Sequence, residues 1–126
     1  TISVINYTGA AAATCTLPAA TAGTIVVYCQ SKDTTGGTAT LVFDAAGSDV
    51  WATGSVIESR ASSEVTFDTS AASETKLTFT PANAATNLLT TGGQIAFICY
   101  EDATWHIATK LAAETTQVTG AFVFAA

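Results

Sequence analysis

Apolar and polar residues alternate along this chain over short distances. In Lys76-Leu77-Thr78-Phe79-Thr80 the period is two, with Leu77 and Phe79 on one side and Lys76, Thr78 and Thr80 on the other. Glu64-Val65-Thr66-Phe67-Asp68 repeats the pattern. Segments of this kind, rich in Val, Ile, Thr and aromatics, are separated by clusters of Gly, Pro, Asn, Asp or Ser. They predict strands near 2–7, 13–17, 24–30, 38–43, 55–59, 63–68, 75–80, 94–100, 104–109 and 116–124. Threonine suits such strands, because its β-branch favours extended backbone and its hydroxyl tolerates a wet face.

No stretch carries a clear 3.6-residue period. The Ala-rich pieces at 9–13, 19–22 and 82–86 are short, adjoin Gly or Pro, and lack an apolar stripe, so they read as loops or single turns. The clearest hairpin joins Ile95–Tyr100 to Thr104–Ala108 through Glu101-Asp102-Ala103. On it Ile95, Phe97 and Cys99 share a face, as do Trp105 and Ile107. Ten short strands at this spacing predict an all-β fold, an antiparallel β-sandwich or jelly-roll-like single domain over residues 1–126. One-sided alternation predicts antiparallel sheets with one wet face.

Composition narrows the function. Ala (25) and Thr (24) fill 49 of 126 positions, and only 14 residues are charged, for a net charge of −6. Four basic residues against ten acidic ones cannot replace the counterions of a nucleic acid. A chain 48% apolar and 11% charged is not disordered. No apolar run approaches the ~18 residues of a membrane helix. The start, Thr1-Ile2-Ser3-Val4, has no basic end before an apolar stretch, so no signal peptide is expected.

Candidate chemistry is sparse. Cys15, Cys29 and Cys99 are widely spaced, with no C-x-x-C and no Cys/His cluster, so no zinc site is expected. All three read as small buried hydrophobes in a reducing cytoplasm, with a Cys29–Cys99 disulfide open if their strands are neighbours. His106 is the one candidate general base. If Trp105 faces the core, His106 points the other way, with no nucleophile beside it. Asp44, Asp49, Glu58, Glu64, Asp68, Glu74, Glu101 and Asp102 fall in or beside proposed turns and read as solvated turn residues. No enzyme, cofactor or metal is expected.

Contact residues are the better candidates. Trp51 either caps the core or stands out as an anchor for a partner. Ile2, Val4 and Tyr7 near one end, and Phe122, Val123 and Phe124 near the other, are strongly apolar for terminal segments. Each segment is either a strand of its own sheet or an arm (1–8 and 116–126) packed on a neighbouring subunit. Phe122-Val123-Phe124 is apolar on both sides, which favours a covered position.

Three features together resemble a known family. They are Thr14-Cys15-Thr16-Leu17-Pro18 through Gly23 into Thr24-Ile25-Val26-Val27, then Ala39-Thr40-Leu41-Val42-Phe43 with its Gly/Asp loop, then Gly92-Gly93-Gln94-Ile95 through Asp102-Ala103-Thr104-Trp105-His106-Ile107. Over roughly residues 13–110 the order resembles small β-domains of tailed-phage virion proteins, especially capsid decoration (cement) proteins and related fibre or knob modules. The usual hairpin turn there carries Gly after Asp, where this chain has Ala103. The resemblance implies a structural protein of the virion, assembled in the host cytoplasm and bound to the outer capsid surface. It implies a homotrimer, with the major capsid protein as partner and no catalytic residues. The alternative within the same resemblance is a fibre, knob or adhesin module binding a host glycan, which exposed Trp51 and Tyr100 near acidic loops would favour.

Overall fold

The structure is a computed structural model, and it describes residues 1–7, 12–31, 40–60, 65–79, 94–111 and 122–126. These form eleven strands: β1 (Ile2–Tyr7), β2 (Ala13–Thr16), β3 (Ile25–Gln30), β4 (Leu41–Asp44), β5 (Val50–Trp51), β6 (Val56–Arg60), β7 (Val65–Thr69), β8 (Lys76–Phe79), β9 (Gln94–Glu101), β10 (Thr104–Leu111) and β11 (Phe122–Ala125). No described residue is helical. Five strands make one sheet in the order β1-β3-β9-β10-β5, and four make a second in the order β11-β8-β4-β2. The β6–β7 hairpin stands as a separate pair. The two larger sheets pack face to face as a sandwich.

The sheets are mixed, which corrects the purely antiparallel expectation. β1 pairs with β3, β2 with β4, and β5 with β10 in parallel, while the remaining pairs are antiparallel. The connectivity allows two of the parallel pairs. From β1 to β4 successive strands alternate between the two sheets. Strands two apart in sequence therefore return to the same sheet, where β1 and β3, and likewise β2 and β4, run the same way. Local alternation reports which face is buried but carries nothing about direction.

The core lies between the sheets. β3 buries Val26, Tyr28 and Gln30, β9 buries Ile95, Phe97 and Cys99, and β4 and β8 contribute Leu41, Phe43, Leu77 and Phe79. An aromatic chain zigzags across the interior. Tyr28 meets Phe43 edge-on at 4.8 Å, Phe43 meets Phe97 at 5.2 Å, Phe97 meets Trp51 at 5.3 Å, and Trp51 meets Phe124 at 5.7 Å. These separations are in the range of favourable edge-to-face contacts. At the end of β3 the Tyr28 hydroxyl donates to Gln30 Oε1 at 2.6 Å, so this polar pair is satisfied inside.

The β5 strand lies where the sequence predicted only a loop. It is two residues long, too short for any period to show. Backbone bonds fix it: Val50 N–H donates to the Ala103 carbonyl (3.0 Å), Trp51 N–H to Glu74 (2.8 Å) and Ala52 N–H to Trp105 (2.8 Å). The predicted hairpin turn is present, and Ala103 adopts φ 65°, the left-handed conformation that Gly takes most easily. Ser70, buried, ties the β6–β7 hairpin to the loop after β5. Its hydroxyl donates to the Ala52 carbonyl and accepts from Ser55 N–H at 3.0 Å.

Candidate interaction surface

Strand register decides which side chains meet on the outer face of the five-stranded sheet. Because Val26, Tyr28, Phe97 and Trp105 point inward, their neighbours Ile25, Val27, Ile98 and His106 point outward. Ile2 is paired with Ile25, Ile25 with Ile98, and Ile98 with His106, so these four form one row across four strands. Val4, Val27 and Ala96 form the next row. A third row, Asn6, Cys29 and Gln94, is polar at both ends. The face thus runs from apolar to polar along the strands, and none of these ten positions is acidic, Lys or Arg.

This face is open to solvent at its edge. Ile2 is 71% exposed, Val4 66% and Tyr100 66%, while Ile25, Val27 and Ile98 are half-buried. Tyr100 stands beyond the first row and meets His106 edge-on at 4.7 Å. The His106 Nε2 atom is covered and has no hydrogen-bond partner. Among strands of one sheet, an apolar side chain gains little unless something lies on top of it. Continuous apolar surface of this kind marks contact sites on soluble proteins.

The acidic residues do other work. Asp49 Oδ2 accepts from Ala20 N–H at 2.6 Å and Asp102 Oδ1 from Ala22 N–H at 2.9 Å. Together they tie the β2–β3 loop to the β4–β5 loop and the β9–β10 turn, and Ala103 N–H adds a bond to the Ala20 carbonyl at 2.8 Å. Glu74 Oε2 accepts from Ala71 N–H at 2.7 Å. These carboxylates satisfy loop amides; Asp44, Asp49 and Glu74 are half-buried, whereas Glu101 and Asp102 are exposed at the hairpin turn as expected. The side chains of Glu58, Glu64 and Asp68 lie outside the described residues.

The cysteines are free thiols. A Cys29–Cys99 disulfide is excluded by register and facing. β3 and β9 are neighbours, but Cys29 is paired with Gln94, five residues along the strand from Cys99. That separation is roughly 16 Å at ~3.3 Å per residue, against the ~4.4–6.8 Å a disulfide spans. Cys99 faces the core whereas Cys29 faces outward, so only Cys99 is fully buried and Cys15 and Cys29 are half-buried. Burial raises the Cys99 thiol pKa above its ordinary value, and Asp102 and Asp49 add to this. Bonds involving the Thr104 backbone and the Glu101 carbonyl pull the other way. Burial raises Cys15 as well. His106 and Cys99 sit on opposite faces of one sheet, so they form no nucleophile–base pair. Among the described residues no group of three His, Cys, Asp or Glu could hold a metal ion.

The predicted contact residues divide. Trp51 is fully buried and packs on Phe97 and Phe124, so it is a core residue and not an exposed anchor. Its indole N–H, like that of Trp105, is buried without a hydrogen-bond partner. Phe124 is 5% exposed and also belongs to the core. Val123 is 47% exposed. Within this chain both terminal segments are strands of its own sheets, β1 beside β3 and β11 beside β8. Tyr7 and Phe122 take part through their backbones, and their side chains, with residues 8 and 116–121, lie outside the described ones. Ile2 and Val4 do stand on the exposed face. Sequence reasoning named Tyr100 as a candidate exposed aromatic, and it is 66% exposed, but missed Ile25, Val27 and Ile98 as outer-face residues. The signal was present, because Ile25–Cys29 and Ile95–Tyr100 are apolar without a break, and a strand apolar at every position has two faces to cover.

No family model, no curated protein and no solved structure matches the chain. Among the described residues no helix is long and apolar enough to cross a membrane.

Proposed function

We propose that this chain is a capsid decoration protein of a tailed phage, a structural domain that binds the outer capsid surface and stabilises the shell. The observation that carries the reading is the apolar outer face of the five-stranded sheet. An uncharged, pre-formed sheet face is suited to protein–protein contact and holds no constellation for chemistry. The sequence resemblance supplies the partner, the major capsid protein. Many copies on a lattice can each bind weakly and still reinforce the shell, which suits a contact made of Ile, Val and Ala.

The test uses shells assembled from the major capsid protein encoded in the same genome. Purified chain is mixed with shells and sedimented through a gradient. Saturable co-sedimentation, with shells that resist heat better when decorated, is the expected result. Absence of binding at high chain concentration overturns the reading.

One observation favours a second reading, a module that binds a host glycan. Tyr100 is exposed beside Glu101 and Asp102, and sugars stack on aromatic rings with carboxylates nearby. The burial of Trp51 removes the larger of the two aromatics that such a platform would have used. Binding to a glycan array that is lost in Tyr100→Ala, with no affinity for shells, would establish this reading over the first.

A further inference from the structure

We infer that β1 is a pairing edge and that its occupant is the β1 strand of a second copy of this chain. The two strands run antiparallel about a two-fold axis normal to the sheet, joining two five-stranded sheets into one, a dimer in place of the trimer that the resemblance implies.

Backbone parity comes first. Ile25 N–H donates to the Thr1 carbonyl at 2.8 Å, so Thr1 turns its peptide groups toward β3. Alternation then turns Ser3 and Ile5 toward β3, and turns the N–H and C=O groups of Ile2, Val4 and Asn6 away from the sheet. No strand of the described residues lies on that side of β1. The side chains of Ile2 (71% exposed) and Val4 (66%) stand in solvent on the face of this edge strand.

The edge is also undefended. Native edges are blunted by shortness, lysine, proline, bulges or inward charge. The other edges follow that rule: β5 has two residues, β11 has four, and β2 has four and runs into Leu17-Pro18. β1 has six residues, Ile-Ser-Val-Ile-Asn-Tyr, with no charge and no proline, and its register with β3 is regular throughout.

Two arguments select a second copy. One is charge. At a net −6, two chains repel unless the contact keeps their carboxylates apart. Asp44, Asp49, Glu74, Glu101 and Asp102 all lie outside β1 and outside its neighbour β3. With Val4 opposite Val4, the outward groups at 2, 4 and 6 meet those at 6, 4 and 2, and the ladder closes on itself with no charge opposed. The other argument is area. The four-strand outer face measures about 19 Å by about 17 Å, or roughly 300 Å², from ~4.8 Å strand spacing and ~3.3 Å rise. A stable protein interface covers ~800 Å² on each partner. Pairing through β1 keeps the same face outward in both copies and doubles the patch to roughly 600 Å², about three-quarters of that size. This last consequence rests on the capsid reading, whereas the pairing does not.

Light scattering on the full chain, across a hundredfold range of concentration, tests the inference. The expected mass rises from 12.8 kDa toward twice that value. Val4→Pro removes an outward N–H while leaving the β1–β3 bonds intact, and it is expected to stay at 12.8 kDa with an unchanged circular dichroism spectrum. Should that variant misfold, Val4→Lys gives the same test by placing a charge on the edge. In the wild type, exchange of the Val4 amide is expected to slow with concentration while that of Ser3 does not change. A mass that never rises, a trimer, or a dimer that survives both substitutions overturns the pairing. A monomer that still binds shells would sink the pairing alone, and a dimer that ignores shells would sink the capsid reading alone.

Discussion

The two faces of the five-stranded sheet come from the same strands and from similar residues, yet among the described residues only one is fully buried. Phe97 and Ile98 are adjacent in sequence. Phe97 is fully buried among Phe43 and Trp51, whereas Ile98 lies half-buried in an outer row with Ile25 and His106. The inner face is closed by a second sheet, so its apolar residues are accounted for by folding. On the outer face Ile2 and Val4 are exposed and Ile25, Val27 and Ile98 are half-buried, so these side chains add less to the fold than those inside. An apolar residue explained by the core and one explained by a contact are thus separable by facing alone.

The sharpest way to break that contrast is to truncate both neighbours. Phe97→Ala is expected to cost ~3–5 kcal/mol of stability, and Ile98→Ala no more than ~1 kcal/mol. Urea unfolding followed by tryptophan fluorescence measures both, since Trp51 and Trp105 are buried when folded. Equal losses would mean that the outer face belongs to the fold and needs no partner.

Ser70 offers the polar counterpart on the buried side. It bonds to Ala52 and Ser55 from a position only 3% exposed. Ser70→Ala removes both bonds, while the half-buried Ser55 N–H and Ala52 carbonyl keep the 2.9 Å bond they make to each other, so the expected cost in the same unfolding assay is about 1 kcal/mol. Ser55→Ala, which keeps the backbone N–H that Ser70 accepts, is expected to cost less.

Ala103 tests the hairpin that sets both faces. At φ 65° an alanine carries strain that glycine does not. Ala103→Gly is expected to raise stability by up to about 1 kcal/mol, because relief of strain exceeds the entropy glycine adds to the unfolded chain. A loss of stability would show that the turn is not strained at this position.

The smallest effect is pH dependence. Burial raises the Cys99 and Cys15 thiols above their ordinary value of 9.0, so the folded state disfavours the thiolate. Their contribution is complete below that value. It is lost as pH rises through the folded pKa values, because the unfolded chain releases those protons first. Unfolding midpoints are expected to hold from neutral pH to about 9 and to fall above it, with a shallower fall in Cys99→Ala. An identical slope in that variant would remove Cys99 as a cause.

Much of the fold was legible. Leu77 and Phe79, and Ile95, Phe97 and Cys99, are buried as their period of two predicted. Every predicted strand has a counterpart among the eleven. Three things were hidden. Strand direction depends on the chain's crossing between sheets, which leaves no local trace. β5 is too short to show a period, so Trp51 was left open between core and surface. The bonds that the Asp49 and Asp102 carboxylates accept were not foreseen because their partners, Ala20 and Ala22, lie 29 and 80 residues away. Of the surface, Ile2 and Val4 were found from the oddity of apolar ends. Ile25, Val27 and Ile98 were not, because the two-faced argument applied to Phe122-Val123-Phe124 was not carried over to these inner strands.

The central claim is that the outer sheet face makes the functional contact, and a charge placed in its middle tests it most directly. Ile98→Glu should still fold, with a loss of stability on the order of that of Ile98→Ala, and abolish co-sedimentation with shells of the cognate major capsid protein. A variant that folds and binds shells as well as the wild type would contradict the account.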